Sequence, residues 1–346
     1  MMDLLYKLLK LPDQLSIKEK GKMKKLILLI LLLTAEATFG KNPEFSHDVT
    51  GAVKPWTNEN FPALSVNDGD FSFAVIPDRT GRPRKGVFES AMKKINMLRP
   101  DFAVSVGDLI EGSPAEATTS APVDAQWKNV RAMTESLKMP FFYCVGNHDI
   151  NRNTPKNTKR FTITRNAWIK NFGGQTYYSF VYRNVLFMIM NSMEDGDTSF
   201  SLEPFSAAQQ KWALETLKKH PGVRWTFVFM HHPKFHHKSF NAIEQELRKR
   251  NYTVFSGDWH RYTRFRRYGR NYYVVSTCGG VVPETEKTAI PAPRGPEYGE
   301  MDHIVWITMT GSGPEIVNIL LDGIVPDDVV TQNKAKVPVR KKLDIE

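Results

Sequence analysis

The sequence predicts an α/β fold, a sandwich of β-sheets flanked by helices. Three observations carry that prediction. From residue 71 onward, apolar runs of strand length alternate with amphipathic stretches of helical period. After residue 256 the alternation gives way to antiparallel-looking strands, so a mainly β second half joins an α/β first half. Five of the apolar runs end in Gly, Pro or Met followed at once by an oxygen or imidazole donor.

In chain order, "FSFAVI" (71–76) predicts a strand and "KGVFESAMKKINML" (85–98) an amphipathic helix. "DFAVSV" (101–106) predicts a second strand, 122–138 a second helix, and "PFFYCV" (140–145) a third strand. About 20 residues from Asn151, rich in Lys, Asn and Thr, read as an excursion. "TYYSFVY" and "VLFMIMN" predict two strands joined by a tight Arg183-Asn184 turn. Ser206 caps a helix through Lys219, with Gln209 where a capping box places its third residue. "VRWTFVFM" (223–230), a helix at 239–250 and "YTVFS" (252–256) follow, and "HIVWITMTGSGPEIVNILL" closes the pattern as a hairpin. No internal repeat is visible.

The 346 residues suffice for one large domain, expected at 67–324, with an irregular lead-in at 41–66 and a basic tail at 325–346. Met23-Lys24-Lys25, eight apolar residues at 26–33 and the small-residue stretch around Ala35 and Ala37 read as an export signal over 23–40. Residues 1–22 then read as an overextended start. The apolar run is too short for a bilayer span, which takes about 20 residues, so the mature protein is expected to carry no transmembrane segment and to be periplasmic or secreted. Removing 1–40 lowers the net charge from +10 to +7. That surplus suits an anionic substrate or plain solubility. No Arg-rich recognition helix or aromatic-basic run points to nucleic acid. Cys144 and Cys278, both at the ends of apolar runs, read as buried free thiols, with pairing as the alternative.

The chemistry concentrates at the strand ends, where α/β sheets gather their ligands. "FSFAVI" leads into Asp78-Arg79-Thr80, "DFAVSV" into Gly107-Asp108, and "PFFYCV" into Gly146-Asn147-His148-Asp149. "WTFVFM" leads into His231-His232-Pro233, and "YTVFS" into Gly257-Asp258-Trp259-His260. A single strand-end Asp is usually a helix cap. Five such ends, three of them carrying His, point to a shared site.

This order of motifs resembles the calcineurin-like metallophosphoesterase superfamily, from about Phe71 to His260. The resemblance implies a four-layer α/β/β/α sandwich with two divalent metal ions at the strand ends and a phosphoester substrate, mono- or diester. It assigns Asp78 and His260 to the first ion and Asp108 as the bridging carboxylate. Asn147 and His231 go to the second ion, with His232 as the alternative to His231. His148 becomes the imidazole that faces substrate, oriented by Asp149. Arg79 and Arg82 are candidates to fork the non-bridging phosphoryl oxygens, with solvated loop arginines as the alternative. Lys234 and Arg261 are weaker candidates of that kind, and 276–303 is a candidate rim with Tyr298 and His303 as contacts.

Two positions depart from the family pattern. Thr80 stands where the first motif usually has His, and Asp258 stands for the first His of the last motif. Asp258 is expected to serve the second ion as a carboxylate ligand. An oxygen-richer donor set favours Mn, Fe, Mg or Ca over Zn. The expected activity is hydrolysis by a metal-activated hydroxide, with His148 assisting the leaving oxygen. The alternative is a degenerate, non-catalytic member that binds an anion or a partner. No Gly-x-Ser-x-Gly elbow supports a serine hydrolase.

Overall fold

The computed structural model describes residues 46–47, 69–114, 117–150, 158–173, 176–194, 204–282 and 293–326. The expected start at 1–22, the export signal at 23–40, nearly all of the lead-in and the tail after 326 lie outside the described residues. The chain divides into two units, Met1–Glu44 and Phe45–Glu346, and everything described belongs to the second.

Two sheets form that unit. In the six-stranded sheet, β2 (Phe71–Ile76), β3 (Phe102–Ser105) and β4 (Phe141–Phe142) run parallel. On its other side β11 (His303–Thr310), β12 (Gly313–Leu320) and β13 (Gly323–Pro326) add antiparallel, giving the order β13-β12-β11-β2-β3-β4. The seven-stranded sheet contains β1 (Ser46–His47), β5 (Tyr178–Tyr182), β6 (Val185–Ile189), β7 (Trp225–Phe229), β8 (Tyr252–Ser256), β9 (Thr263–Arg267) and β10 (Arg270–Val274). Its order is β1-β5-β6-β7-β8-β10-β9, with β6, β7, β8 and β10 parallel.

Side-chain alternation explains why the sheets stack. In β6 and β7, Phe187, Phe227 and Phe229 join the core between the sheets, while Leu186, Met188 and Val228 face the other way into a second core. Phe187 meets Phe73 and Phe102 edge-on, at ring separations of 5.2 and 5.1 Å, and Phe227 meets Phe73 at 5.0 Å. Such aromatic pairs contribute about 0.5–1.5 kcal/mol each beyond their burial.

Helices cover the outer faces. α1 (Val87–Leu98), α2 (Ala121–Thr134) and α4 (Lys159–Phe172) add Phe88, Ile95, Trp127, Val130, Trp168 and Phe172 to the first core. α5 (Ala207–Lys219) and α6 (Asn241–Leu247) close the second with Ala213, Leu217, Ile243 and Leu247. The result is the expected α/β/β/α sandwich. The short α3 (Asn147–Ile150) carries the Gly-Asn-His-Asp motif. Among the described residues no helix is long and apolar enough to cross a membrane.

Several local expectations hold for visible reasons. Arg183 and Asn184 both have positive φ, 44° and 59°, the backbone of a two-residue type I′ hairpin. The Ser206 hydroxyl accepts the Gln209 amide at 3.1 Å, but only half of the capping box forms. The Gln209 side chain instead brackets Asn191, accepting its N–H and donating to its carbonyl, each at 2.8 Å. Cys144 and Cys278 are free and buried.

Two elements differ from the prediction. The excursion after Asn151 contains α4, capped by the Thr158 hydroxyl on the Phe161 amide, while 151–157 lie outside the described residues. The third strand pairs only at Phe141–Phe142, because the Cys144 amide turns to the Ser105 hydroxyl at 3.1 Å.

Candidate metal centre

The parallel strands β2, β3 and β4 of one sheet and β7 and β8 of the other deliver their carboxyl ends to one place. Short backbone bonds lock the loops that follow. The Arg79 and Thr80 amides both donate to the Asp108 carbonyl at 3.0 Å, and Gly257 donates to the His231 carbonyl at 2.8 Å. Glycine permits this approach. A Cβ at Gly146 would stand 2.2 Å from Asp108 Oδ1, and one at Gly257 the same distance from Asp78 Oδ1. Asp108, Asp258 and His260 take left-handed backbone angles, φ 55°, 72° and 49°. Such non-glycine conformations cost about 1–3 kcal/mol each and persist where the surroundings over-determine them.

Two donor groups result. In the first, His260 Nε2 lies 3.2 Å from Asp78 Oδ2, while its Nδ1 bonds to the Val281 carbonyl. That carbonyl accepts only from Nδ1–H, so Nε2 is the nitrogen turned inward. Asp78 Oδ2 also accepts the Asp258 amide at 2.8 Å. In the second, His231 Nε2 lies 2.8 Å from Asn147 Oδ1, 3.3 Å from Asp108 Oδ2 and 3.8 Å from Asp258 Oδ1. Its Nδ1 bonds to the Val106 carbonyl at 3.0 Å. Asp108 Oδ1 accepts the His148 amide at 2.8 Å, which leaves Oδ2 as the oxygen turned to the imidazoles. Potential ligand atoms of Asp78, Asp108 and His231 lie within 4.8 Å of one another, and so do those of His231, His232 and Asp258. All six sequence-predicted ligands thus meet at one site.

The sequence model of calcineurin-like phosphoesterases matches residues 71–262. The chain belongs to that family. Among solved structures, one described as PhoD superposes with a TM-score of 0.52 at 12% identity, covering 76% of this chain and 72% of that one. GAP50, described as the anchor in the inner membrane complex of Plasmodium, gives 0.49 at 15% identity, with 79% and 90% covered. A putative 5′-nucleotidase from Staphylococcus aureus gives 0.42 at 12% identity, with 77% and 56% covered. Likeness at these identities shows the fold alone. No curated protein matches the sequence.

The calcineurin-like site of this chain departs from expectation at Asp149 and Arg79. Asp149 does not orient His148. Its fully buried carboxylate accepts four backbone amides, from Asp108 and Leu109 at 2.9 Å, Ile110 at 3.2 Å and Gly146 at 2.8 Å. It ties the Gly-Asp loop to the Gly-Asn-His-Asp loop. The carboxylate beside His148 is Glu111, whose Oε2 lies 3.7 Å from Nδ1, while His148 Nε2 lies 3.9 Å from Asp108 Oδ2. Glu111 Oε1 also accepts the Thr80 hydroxyl and the Gly81 and Arg82 amides. Sequence reasoning gave Glu111 no role. Its signal was its place three residues after Asp108, on the same loop.

The Arg79 guanidinium is engaged within the fold: it donates to the Leu109 carbonyl at 2.9 Å and lies over the Phe88 ring. Arg82 is exposed beside Gly81, where an added Cβ would meet His260. Arg261 is paired with Glu300 at 3.2 Å, and His303 is buried with both ring nitrogens bonded, to Asn318 and to the Ser276 amide. Neither serves as a free substrate contact. Tyr298 lies under the Arg294 guanidinium, Lys234 is partly exposed after Pro233, and residues 283–292 of the expected rim lie outside the described residues.

The electrostatics favour a cation here. Burial alone would raise Asp108, but His231 and His148 hold it well below the usual carboxylate range. Burial opposes protonation of His231 and His260, yet Asp108 and Asp78 raise the first and Asp78 the second. Burial and the charge of Asp108 push Asp149 up to about 7. Two like charges 4.8 Å apart repel by roughly 3 kcal/mol at an effective dielectric constant of about 20, so neighbouring carboxylates need a positive partner. Asp78 Oδ1 is buried and has no hydrogen-bond partner, an orphan that a metal ion would satisfy. The donor set fits two divalent ions.

Proposed function

We propose that this chain is an exported, metal-dependent phosphoesterase that hydrolyses a phosphate mono- or diester. The observation that carries the reading is the convergence of Asp78, Asp108, Asn147, His231, Asp258 and His260, with the Asp78 oxygen left unpartnered. Asp78, Asp108 and His260 would hold the first ion, and Asp108, Asn147, His231 and Asp258 the second. Bound divalent ions supply charge neutralisation for a phosphoryl group and a nucleophilic water at neutral pH. The oxygen-rich set favours Mn, Fe, Mg or Ca over Zn. An export signal at 23–40, as the sequence there leads one to expect, would give the chain a periplasmic or secreted site of action.

The protein's own groups do the rest. His148 stands at the edge of the cluster, its Nε2 turned to the Asp108 side, where it can deliver a proton to the leaving oxygen. Glu111 sets a carboxylate oxygen 3.7 Å from Nδ1 of that ring, close enough to act on its charge, and clamps the Thr80–Arg82 turn. Exposed Arg82 supplies a guanidinium for non-bridging oxygens. Asp149 keeps the two ligand loops at a fixed separation.

Hydrolysis of paired nitrophenyl phosphate mono- and diesters tests the reading. Metal-stripped protein would be assayed alone and after addition of Mn, Mg, Fe, Zn or Ca, beside Asp108→Asn. Turnover restored by metal in the wild type and reduced at least 100-fold in the variant supports the phosphoesterase, and the ester ratio names its class. One observation favours a second reading, a non-catalytic binding member: the Thr80 hydroxyl is committed to Glu111 and leaves the first ion three ligands. Folded protein that takes up metal yet turns over neither ester would establish that reading instead.

A further inference from the structure

We propose that His232 is an additional ligand of the second ion, restoring from the neighbouring loop the imidazole that Asp258 displaces from the last motif. The inference rests on the metal-binding reading above and deepens it. His232 is buried, and its Nε2 lies 3.4 Å from Asp258 Oδ1, the same oxygen that faces His231 Nε2 at 3.8 Å. Ligand atoms held about 2.1 Å from one ion in a tetrahedral array stand roughly 3.4 Å apart. The His232–Asp258 separation of 3.4 Å matches that spacing, and potential ligand atoms of His231, His232 and Asp258 all lie within 4.8 Å of one another.

The orientation agrees. The two imidazoles sit with ring centroids 5.1 Å apart and planes at 67°, so they do not stack, and both Nε2 atoms approach Asp258 Oδ1. The far nitrogen of His232 is also held: its Nδ1 is 3.3 Å from the Ser192 hydroxyl, which accepts the His232 amide at 2.9 Å. The Ser192 contact fixes the ring with Nε2 on the Asp258 side, and the tautomer with its proton on Nδ1 would offer the Nε2 lone pair to an ion, as a ligating histidine steadied by an outer partner does. Asp108, Asn147, His231, His232 and Asp258 then give the second ion five donors, against three for the first. The second ion is therefore the tightly held one.

Cobalt(II) serves as the probe. Each ligating imidazole contributes one hyperfine-shifted, exchangeable N–H signal to the proton NMR spectrum, and a histidine that only packs nearby contributes none. Fully loaded wild-type protein is expected to show three such signals, from His231, His232 and His260. His232→Gln is expected to lose one and to weaken the tighter binding step about 10-fold or more by calorimetry. Two signals in the loaded wild type overturn the inference, as does a folded His232→Gln with the wild-type spectrum and affinity. The wild-type count needs no variant, so the test survives a variant that fails to fold. Cobalt binding that leaves His232 uninvolved refutes this inference alone, whereas absence of binding to folded wild type overturns the metal reading with it.

Discussion

Replacing Asp149 tests whether it is a scaffold or a catalytic partner. Its carboxylate accepts four buried amides at 2.8–3.2 Å, two on each oxygen. Asp149→Ala would strand all four donors, and each buried unpaired group costs about 1–3 kcal/mol. Taking the low end, because the space vacated by the carboxylate admits water, the loss is about 4 kcal/mol. That is a large share of the 5–15 kcal/mol typical of a folded domain. At roughly 2–4 °C per kcal/mol for a domain of this size, the melting temperature should fall by about 8–16 °C. Asp149→Asn keeps one accepting oxygen and turns an NH2 group towards two donors, so it should lose about half as much. Thermal and urea unfolding followed by tryptophan fluorescence would measure both. An Asp149→Ala variant melting within about 2 °C of wild type, with only its turnover reduced, would refute the scaffold reasoning and return Asp149 to the His148 ring.

Glu111→Gln keeps an oxygen for the Gly81 and Arg82 amides but removes the charge beside His148. It should lower kcat about 10- to 100-fold at nearly unchanged KM in steady-state ester hydrolysis; a KM effect alone would instead make Glu111 a binding residue. Metal-free protein should lose stability as pH rises. Asp149, held up to about 7 when folded, keeps a proton that the unfolded chain releases near 4, so its contribution fades between about pH 4 and 7. His231 and His260, raised above 6.5, add stability that is full below 6.5 and lost as pH climbs through their folded values. Metal uptake must displace those imidazole protons. Calorimetry at pH 7 in two buffers of different ionisation enthalpy should therefore show proton release, and identical heats would contradict the ligand assignment.

Much of the fold was legible because both faces of the central strands are buried and the runs are correspondingly apolar. "FSFAVI" and "YTVFS" form strands over their whole length, as β2 and β8. The Arg183-Asn184 turn was legible because a two-residue hairpin demands positive φ, which Asn tolerates. Helix α4 was not, since its sequence is dominated by Lys, Arg, Asn and Thr. Only its tertiary partners show that Phe161, Ala167, Trp168 and Phe172 share a buried face.

The site divides along the same line. Strand-end residues were readable because a strand's direction fixes where the next two residues go, and all six predicted ligands converge. Direction within a turn was not readable. His148 and Asp149 are adjacent in sequence, but consecutive residues on a helical turn point about 100° apart. One side chain therefore reaches the cluster while the other turns back into the loops behind it. The same geometry runs the other way at His231 and His232. They lie in the irregular loop after β7 rather than on a helix, and both Nε2 atoms reach Asp258. Adjacency misled at the helical motif and is informative in the irregular loop after β7. The backbone that carries a pair of neighbouring polar residues thus decides whether they can reach one site, as His231 and His232 both reach Asp258, the carboxylate that stands where an imidazole was expected.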